Sequence, residues 1–471
     1  MKILHYYWMQ FDDVNRMGGG VQVYLQNIIK EQRKEHQIIS LSGGTEYDLS
    51  GKCKIKKIKE ENNVSSYSII NSPMLAPSKA SFYELDKYLR DQSLSTVLET
   101  FLKSIQPVDV VHIHSFEGLT LACLKLKEKF PQVKFITTLH NYYPFCPQVN
   151  LWKHDMDSCD GNRDGQDCIS CCGKLPSSNL VRKEYIINTY LKRAGLTHVY
   201  KVLIDKVRST YKKHHKQIQK NIGESEDRSL SPSYADFRKR NIEYMNEYFD
   251  DVICVSNRVR DIAVHFGVKP DLCKVLYIGT SFAEKQKMAP ACPIDSPNLT
   301  MIYMGYMRRD KGFYFFLDAL EKMPQTLAAE LNVVFATRFD DMDAVDRINR
   351  LKEKFHEIRL YNGYTHDTIR DIVKGVNLGI VPVIWEDNLP QVAMELRAMG
   401  IPVLASDRGG ASELTKNPAF KFKAGDIESF IAAVKNIKDD RDVLCEYYDG
   451  IVPLNTMKKH CDQLETLYKG R

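Results

Sequence analysis

Strand-like and helix-like segments alternate along this chain, and they do so in two successive series. The first series ends near residue 255, and the second begins at residue 300. Strands that alternate with helices favour parallel sheets covered by helices on both faces. The sequence therefore predicts an α/β protein with two doubly wound domains. The predicted strands are 2–7, 36–41, 108–112, 134–139, 251–255, 300–304, 332–335, 358–361, 379–383 and 402–406.

The length of the chain and one proline-rich stretch indicate where the two domains divide. A chain of 471 residues is too long for one ordinary hydrophobic core. The two series of strands are separated near residues 286–296, which are rich in proline and poor in apolar side chains. We therefore predict an N-terminal domain, 1–285, a C-terminal domain, 286–450, and a terminal helix, 451–471. This helix either caps the second domain or packs back on the first.

The net charge of +6 is unevenly distributed. Residues 174–220 contain twelve lysines or arginines against two acids, and their apolar residues recur at helical spacing. A solvated helical face is one interpretation. Peripheral contact with an anionic membrane is the other, because such surfaces attract basic amphipathic helices. No nucleic-acid-binding motif accompanies the charge, so nucleic acid is not predicted as a partner.

Cysteine usage and hydropathy favour a cytoplasmic protein. Several of the 12 cysteines lie singly within apolar strands, which is typical of reduced core residues and not of a disulfide scaffold. No run of about 18 apolar residues could span a bilayer. The N-terminal residues have the pattern of a first strand, not of a secretory signal.

Five further cysteines cluster in loop 146–172, which is rich in Gly, Asp and Asn. The Cys168-x-x-Cys171 spacing suits a tetrahedral metal, and Cys146 and Cys159 would complete four thiolates. A zinc ion in this site would be structural, because four thiolates leave no open position for a substrate. Reduced thiols without a metal are the alternative.

Two carboxylates flank a predicted helix start in the second half. Residues 385–390 (Trp-Glu-Asp-Asn-Leu-Pro) follow a buried strand, and Pro390 and Gly400 suit the beginning and the end of a helix. Asp387 then lies at the carboxyl end of a strand, and Glu395 lies two turns into the helix. Ligands of open α/β sheets bind at that edge. Two carboxylates beside a helix N-terminus can hold hydroxyls and a phosphate, which predicts a nucleotide-sugar ligand.

Glycines or cations follow the first strand of each half. Gly19 and Gly20 precede a predicted helix, where backbone N–H groups can approach an anion closely. Arg308, Arg309 and Lys311 lie in a short loop before another predicted helix. Three cations in such a loop can neutralise a diphosphate.

His140 follows the apolar strand 134–139. A histidine at the carboxyl end of a strand in the first domain would face the cleft that is expected between the domains. We therefore predict that His140 contacts a sugar. His112 and His114 end the neighbouring strand and are secondary candidates.

These motifs, in this order, resemble those of the retaining glycosyltransferases of family 4, which have the GT-B fold. The resemblance covers nearly the whole chain and implies two Rossmann-like domains that face a central cleft. It rests on Gly19-Gly20-Val21, residues 109–114 (Asp-Val-Val-His-Ile-His), residues 138–140 (Thr-Leu-His), residues 251–256 (Asp-Val-Ile-Cys-Val-Ser), Lys311-Gly312, and the acidic pair followed by residues 400–406 (Gly-Ile-Pro-Val-Leu-Ala-Ser).

The resemblance implies a role for each candidate residue. Lys311 would bind the diphosphate of a nucleotide-sugar, Glu395 the ribose, and Asp387 the hydroxyls of the transferred sugar. His140 would contact that sugar near its reacting carbon, so His140, Asp387 and Lys311 are the predicted catalytic residues. The predicted donor-binding residues are Gly19, Gly20, Arg308, Arg309, Lys311, Asp387, Asn388, Leu389 and Glu395.

Two of the departures from the family pattern lie among the predicted donor-site residues and their loop. Asp387 stands where the family usually has a glutamate, and Tyr306 stands where an arginine usually follows the loop glycine. Arg308 or Arg309 is expected to replace that arginine.

The resemblance also implies a reaction. The expected function is transfer of a hexose, with retention of anomeric configuration and without a catalytic metal or cofactor. The expected acceptor is a glycan or a lipid-linked glycan in bacterial surface polysaccharide biosynthesis. The alternative is a non-catalytic GT-B protein that binds a partner transferase or a glycan. A nucleotide-sugar epimerase is disfavoured, because the first domain has no evident acid/base carboxylate cluster.

Overall fold

The computed structural model describes most of the chain. The described residues are 1–13, 18–154, 156–159, 161, 165–172, 178–195, 231–291, 297–365 and 367–470. The predicted basic segment 174–220 falls outside them except for residues 178–195, so its contact with a membrane stays a prediction. Among the described residues, no helix is both long enough and apolar enough to cross a membrane.

The chain forms two compact units. Unit 1 comprises Met1–Val149, Gly161–Val252 and Phe266–Leu272. Unit 2 comprises Asn150–Asp160, Ile253–His265 and Cys273–Arg471. The predicted domain boundaries after residues 285 and 450 stay predictions.

The first half of the chain contributes a mostly parallel sheet and a small hairpin. The strands are β1 (Lys2–Tyr6), β2 (Gln37–Glu46), β3 (Lys54–Glu61), β4 (Val64–Ile70), β5 (Val110–Ile113), β6 (Lys134–Leu139), β7 (Trp152–Lys153), β8 (Asp157–Ser158), β9 (Asp251–Cys254) and β10 (Cys273–Val275). The eight-stranded sheet has the order β10-β9-β6-β5-β1-β2-β4-β3, and β7 pairs with β8. Leu4 of β1 lies opposite Ile39 of β2 and Val111 of β5, and all three are buried.

The edge strand β3 was not predicted from the sequence. It pairs with β4 in the antiparallel direction, and its sequence, Lys-Ile-Lys-Lys-Ile-Lys-Glu-Glu, is almost entirely exposed. Lysines on an edge strand discourage pairing with another chain. The strand was missed because its many charged residues do not form the apolar pattern from which the other strands were predicted.

Unit 2 is built on a parallel sheet of six strands. They are β11 (Leu299–Gly305), β12 (Leu331–Thr337), β13 (Glu357–Asn362), β14 (Leu378–Val381), β15 (Val403–Ser406) and β16 (Lys421–Phe422). Their order is β13-β12-β11-β14-β15-β16. The central strands β11, β14 and β15 are almost completely buried, which explains their continuous apolar sequences. The predicted α/β architecture with parallel sheets is confirmed.

Helices connect the strands in both units. The described α-helices are α1 (Gly19–Gln32), α2 (Leu85–Arg90), α3 (Ser93–Ser104), α4 (Gln166–Cys172), α5 (Ser178–Arg193), α6 (Ser231–Tyr248), α7 (Asn257–His265), α8 (Phe313–Lys322), α9 (Gln325–Ala328), α10 (Met342–Leu351), α11 (Ile369–Ile372), α12 (Gln391–Ala398), α13 (Ile427–Asp439), α14 (Val443–Glu446) and α15 (Met457–Tyr468). The 3-10 helices are Ser78–Glu84, Leu121–Glu128, Pro270–Leu272, Ser281–Lys285, Gly410–Glu413 and Pro418–Phe420.

The terminal helix α15 packs on a segment of unit 2. His460 Nδ1 lies 3.0 Å from the backbone oxygen of Tyr277. A Cβ on Gly279 would lie 2.9 Å from His460 Cβ, so the absence of a side chain at Gly279 allows the close approach. The predicted return of this helix to the first domain stays a prediction.

Candidate functional site

In unit 2, the loops that follow the neighbouring strands β11 and β14 lie side by side. Ile384 N donates to Asp310 O at 3.2 Å, which joins the two loops. Gly312, which precedes α8, has a φ of +73°, and a Cβ there would lie 1.7 Å from Pro382 O. The loops can therefore approach this closely only because position 312 is a glycine.

This packing places Lys311 against Asp387. Lys311 Nζ donates to Asp387 Oδ2 at 2.6 Å, and the same nitrogen lies 5.0 Å from the centroid of the Trp385 ring. Asp387 is 7% exposed, whereas the side chain of Lys311 is 29% exposed. A cation and a carboxylate thus meet at the carboxyl edge of the sheet, with the cation partly open to solvent.

The backbone of residues 387–389 is held by contacts within unit 2. Gly410 N donates to Asp387 O at 2.9 Å, and Ser256 Oγ donates to Asn388 O at 2.9 Å. Asp387, Asn388 and Leu389 are all buried. These residues therefore form a fixed turn before α12, as an anion or sugar site requires.

Glu386 holds this turn in place through hydrogen bonds to two arginines and one backbone N–H group. It is 5% exposed and accepts two hydrogen bonds from Arg258, at 2.8 and 2.6 Å. It also accepts one from Arg408 at 2.8 Å and one from Gly409 N at 3.1 Å. Burial by itself would raise the pKa of Glu386, but the hydrogen bonds and charges of the two arginines outweigh it and hold the pKa below its usual 4.5.

We expect replacement of Glu386 by glutamine to remove a pH-dependent part of the stability. A carboxylate with a lowered folded-state pKa stabilises the fold fully above its unfolded pKa, and this stabilisation is lost as the pH falls through the folded pKa. The free energy of unfolding at pH 7 should fall by about 2 kcal/mol. Urea unfolding should show that this difference between the native protein and E386Q narrows below about pH 4.5.

The exposed Glu353 gives a matched control for that measurement. The substitution E353Q should leave the free energy of unfolding unchanged within about 0.5 kcal/mol at every pH. A constant difference between the native protein and E386Q from pH 7 to pH 3.5 would contradict the assignment of Glu386 as a paired carboxylate.

Glu395 lies on α12 and is 7% exposed. Burial raises the pKa of Tyr364, and the charges of Glu395 and Tyr306 raise it further, so Tyr364 lies near each of these two side chains. Tyr306 is 54% exposed. Tyr364, which follows β13, was not singled out from the sequence, because its place beside α12 depends on the sheet order.

The two arginines of the β11 loop contact other residues. Arg308 donates from Nε and Nη2 to the buried Asp310, at 3.0 and 2.7 Å. The guanidinium of Arg309 lies 6.0 Å from the centroid of the Tyr314 ring. Lys311 is therefore the predicted cation that contacts Asp387, whereas Arg308 contacts Asp310 and Arg309 lies near Tyr314. The donor-binding roles of Arg308 and Arg309 stay predictions.

In unit 1, the glycine-rich loop is fixed by Gln22. Its Nε2 lies within hydrogen-bond distance of three backbone oxygens, those of Gln10, Phe11 and Asp13, and Gly18 N donates to its Oε1 at 3.1 Å. Gln22 is completely buried. The buried side-chain amide of Gln22 thus connects residues 10–13 with Gly18. No pattern in the sequence indicates this role for Gln22.

Gly19 and Gly20 are the first two residues of α1, and both are exposed. Gly19 has a φ of +59°, which favours glycine. A Cβ at Gly19 would have no atom within 4 Å, so this side of the helix start is open. The predicted contact of these glycines with a phosphate stays a prediction.

His140 follows β6 and contacts two aromatic side chains in unit 1. Its Nε2 lies 3.1 Å from His114 Nδ1, and the ring of Tyr24 lies 4.7 Å from its own ring, between centroids. The ring nitrogens of His5, His112 and His114 lie within 4.8 Å of one another, and all three residues are buried. His5 and Tyr24 were not singled out from the sequence.

Cys172, which was not in the predicted set, lies near three of its members. Burial raises the pKa of Cys172, and the thiols of Cys146, Cys168 and Cys171 in the same unit raise it further. Cys159 follows the β7–β8 hairpin and is half-buried. In the described part of unit 1, no three of the sulfur atoms lie within 4.8 Å of each other. A closed zinc site needs sulfur atoms about 3.8 Å apart, and zinc binding stays a prediction.

Comparison with known proteins identifies the architecture. Residues 298–440, which contain both loops described above, match the family model described as glycosyl transferases group 1. Three solved structures are similar over the whole chain. HepE of Anabaena in complex with UDP and glucose has a TM-score of 0.54 and 13% identity, and the alignment covers 100% of each chain. Sucrose-phosphate synthase of Thermosynechococcus elongatus has a TM-score of 0.55 and 14% identity, over 100% of this chain and 98% of the other. A glycosyltransferase of Rickettsia africae has a TM-score of 0.54 and 16% identity, over 100% and 98%.

The chain has the GT-B fold. A curated relative, an uncharacterized glycosyltransferase of Methanocaldococcus jannaschii, is 24% identical over 187 residues. The alignment spans 37% of this chain and 47% of that relative, about half its length. Lys311 and Asp387 both lie within residues 298–440, the segment that matches the family model of glycosyl transferases group 1.

Proposed function

We propose that this protein is a glycosyltransferase that moves a hexose from a nucleotide-sugar to an acceptor. The proposal depends chiefly on the Lys311–Asp387 pair, 2.6 Å apart at the carboxyl edge of a parallel sheet. The pair lies within residues 298–440, which match glycosyl transferases group 1. The same edge carries Glu395 on a helix that begins immediately after the pair.

The charges at this edge suit a nucleoside diphosphate. Lys311 precedes Gly312, the N-cap of α8, a helix of ten residues, so its ammonium and the positive end of the helix can act on the same anion. Asp387 and Glu395 are acceptors for hydroxyl groups. We propose that the diphosphate binds at Lys311, the transferred sugar at Asp387 and the ribose at Glu395.

A uridine nucleotide is the donor that we propose. HepE, which has the same fold, was crystallised with UDP and glucose. The charge of Glu395 acts on Tyr364, and Tyr306 acts on Tyr364 as well, so these two tyrosines offer aromatic surface for a base near this edge.

We further propose that the reaction retains the anomeric configuration and needs no metal. Negative charge builds on the leaving phosphate in the transition state, and Lys311 can stabilise it as a preorganised cation. The same phosphate can take the acceptor's proton on one face of the sugar, which leads to retention. We also propose that His140 contacts the transferred sugar.

The acceptor that we propose is a glycan or a lipid-linked glycan of bacterial surface polysaccharide, modified in the cytoplasm at the membrane surface. Support comes from the resemblance of the sequence motifs and from the excess of lysine and arginine in residues 174–220. Contact with anionic lipid would bring such an acceptor to the enzyme.

We expect UDP and UDP-glucose to raise the melting temperature of the protein. A ligand at 100 times its dissociation constant adds about 2.7 kcal/mol to the free energy of unfolding. Thermal-shift measurements with UDP-, GDP-, ADP- and dTDP-sugars at millimolar concentration should rank the bases. Release of UDP from UDP-glucose, measured with water as acceptor, then tests catalysis.

Two outcomes of this experiment would count against the proposal. If no nucleotide or nucleotide-sugar changes the melting temperature, the donor site is wrongly assigned. If UDP-glucose binds but no UDP is released with water or with any glycan, the non-catalytic alternative is favoured.

A further inference from the structure

Three histidines and a glutamine form a continuous hydrogen-bonded string within unit 1. Gln32 Oε1 lies 2.8 Å from His5 Nε2, and His5 Nδ1 lies 3.0 Å from His114 Nε2. His114 Nδ1 then lies 3.1 Å from His140 Nε2. Each inner histidine uses both of its ring nitrogens in the string, and the string ends at the residue that we place beside the transferred sugar.

The sheet order explains why these residues meet. His5 lies in β1, His114 follows β5 and His140 follows β6, and these three strands are neighbours in the parallel sheet. Gln32 is the last residue of α1, the helix that begins at the glycine-rich loop. His5 and His114 are each 1% exposed, and Gln32 is 5% exposed. The string is thus shielded from water up to His140.

The chemistry of the glutamine fixes the direction of the string. The Oε1 atom of Gln32 can only accept, so His5 Nε2 carries a hydrogen. Burial lowers the pKa of His5 to about 4, so this ring is neutral and its Nδ1 has a lone pair. His114 must then donate from Nε2 to His5. In neutral His114 the Nδ1 atom therefore has a lone pair and accepts a hydrogen bond from His140 Nε2.

We infer that His114, with His5 and Gln32 behind it, is a positioning residue that fixes the tautomer of His140. His140 carries its hydrogen on Nε2, toward His114, and its lone pair on Nδ1. Neutral His140 therefore accepts a hydrogen bond at Nδ1 from a hydroxyl of the sugar, and does not donate one to a carbonyl or carboxylate oxygen. This inference deepens the proposed function and rests on it for the role of His140.

Packing around the string supports a fixed ring orientation. The Tyr24 ring lies 4.7 Å from the His140 ring and 6.0 Å from the His114 ring, between centroids. The His112 ring lies 4.0 Å from the His114 ring, and His112 Nε2 lies 2.7 Å from Thr138 Oγ1. Rings held on both sides keep the hydrogen-bond geometry that a tautomer requires.

A metal ion held by His5, His112 and His114 would require the opposite tautomer. His5 Nδ1 and His114 Nε2 would both be metal ligands with lone pairs. His114 Nδ1 would then carry the hydrogen and donate to His140, so that His140 Nε2 would carry no hydrogen. The two arrangements therefore differ in an observable property of His140.

The tautomer of His140 can be measured without any substrate. Long-range ¹H–¹⁵N spectra of protein labelled at histidine report which ring nitrogen carries the hydrogen, and the loss of signals in H140A assigns them. We expect hydrogen on Nε2 of His140 in the native protein. Hydrogen on Nδ1, or addition of Zn²⁺ that shifts the His5 and His114 signals stoichiometrically, would overturn the inference.

A matched pair of substitutions tests the role of His114. Asparagine at position 114 keeps an acceptor near the position of Nδ1, whereas leucine removes it. We expect H114N to retain the native tautomer of His140 and H114L to show a mixture of both tautomers. An unchanged His140 in H114L would overturn the inference. If H114L does not fold, the spectrum of the native protein still decides the direction of the string.

A double-mutant cycle tests whether His114 acts through His140. With release of UDP from UDP-glucose as the readout, H114L should lower kcat about tenfold and H114N less than threefold. In the H140A background, H114L should cause no further loss. An equal loss in both backgrounds would show a merely structural role. If no nucleotide-sugar is turned over by the native protein, the proposed function fails, while the spectra still decide the tautomer.

Discussion

Replacement of Lys311 by alanine is expected to lower the release of UDP from UDP-glucose about 10²- to 10³-fold. The ammonium of Lys311 is the cation that the structure places beside Asp387, 2.6 Å from its carboxylate. Loss of one preorganised group that stabilises charge in the transition state has an effect of about this size on kcat. Steady-state kinetics of K311A should therefore show the loss chiefly in kcat.

The unpaired carboxylate in K311A requires a control. Asp387 is buried, so loss of its partner is expected to destabilise the protein by about 1 to 3 kcal/mol. The double substitution K311M/D387N removes both charges and should restore stability without restoring turnover. Lys374 is exposed, and K374A should leave turnover unchanged. Turnover of K311A within threefold of the native rate would contradict the assignment of Lys311.

Replacement of Gly312 by alanine is expected to lower the free energy of unfolding by about 3 to 5 kcal/mol. The φ of +73° disfavours any residue with a Cβ. The added Cβ would also lie 1.7 Å from Pro382 O, so the loop that carries Lys311 would have to move away from the loop that carries Asp387. Urea unfolding of G312A should show the loss as a lower midpoint.

A substitution at Gly375 distinguishes the two causes of the loss in G312A, the positive φ and the clash with Pro382. Gly375 has a similar φ of +75°, but a Cβ there would have no atom within 4 Å. The substitution G375A should therefore cost only the backbone penalty, about 1 to 2 kcal/mol. Similar losses in G312A and G375A would mean that the contact with Pro382 does not matter.

Much of the fold could be predicted because buried parallel strands have continuous apolar sequences. All the predicted strands are present, with ends within a few residues of those observed. Helix α12 begins directly after Pro390, and Gly400 follows it with a φ of +83°, as the sequence pattern indicates. The segment between β5 and β6 forms a 3-10 helix, Leu121–Glu128, and apolar spacing alone does not distinguish a 3-10 helix from an α-helix.

The candidate site was less predictable, because most of its supporting residues act over long sequence distances. Glu386 pairs with Arg258, which lies 128 positions earlier in the sequence. The sequence alone does not distinguish Gln22 and Gln32 from other polar residues of α1. Their roles depend on contacts with the glycine-rich loop and with His5 of the sheet. The sequence predicted that the loops after β11 and β14 form the donor site, but the side chains that hold those loops became evident only from the packing.

Two helix starts in unit 2 differ in how their positive ends are neutralised. Glu413 accepts hydrogen bonds from the backbone N–H groups of Asn257, at 3.0 Å, and Arg258, at 2.7 Å, at the start of α7. A dissolved anion would have to displace this internal carboxylate. Helix α8 instead begins after Gly312, which has no side chain to serve as a counter-ion. The protein thus caps the start of α7 with one of its own carboxylates, and we propose that a phosphate of the donor takes that place at the start of α8, beside Lys311.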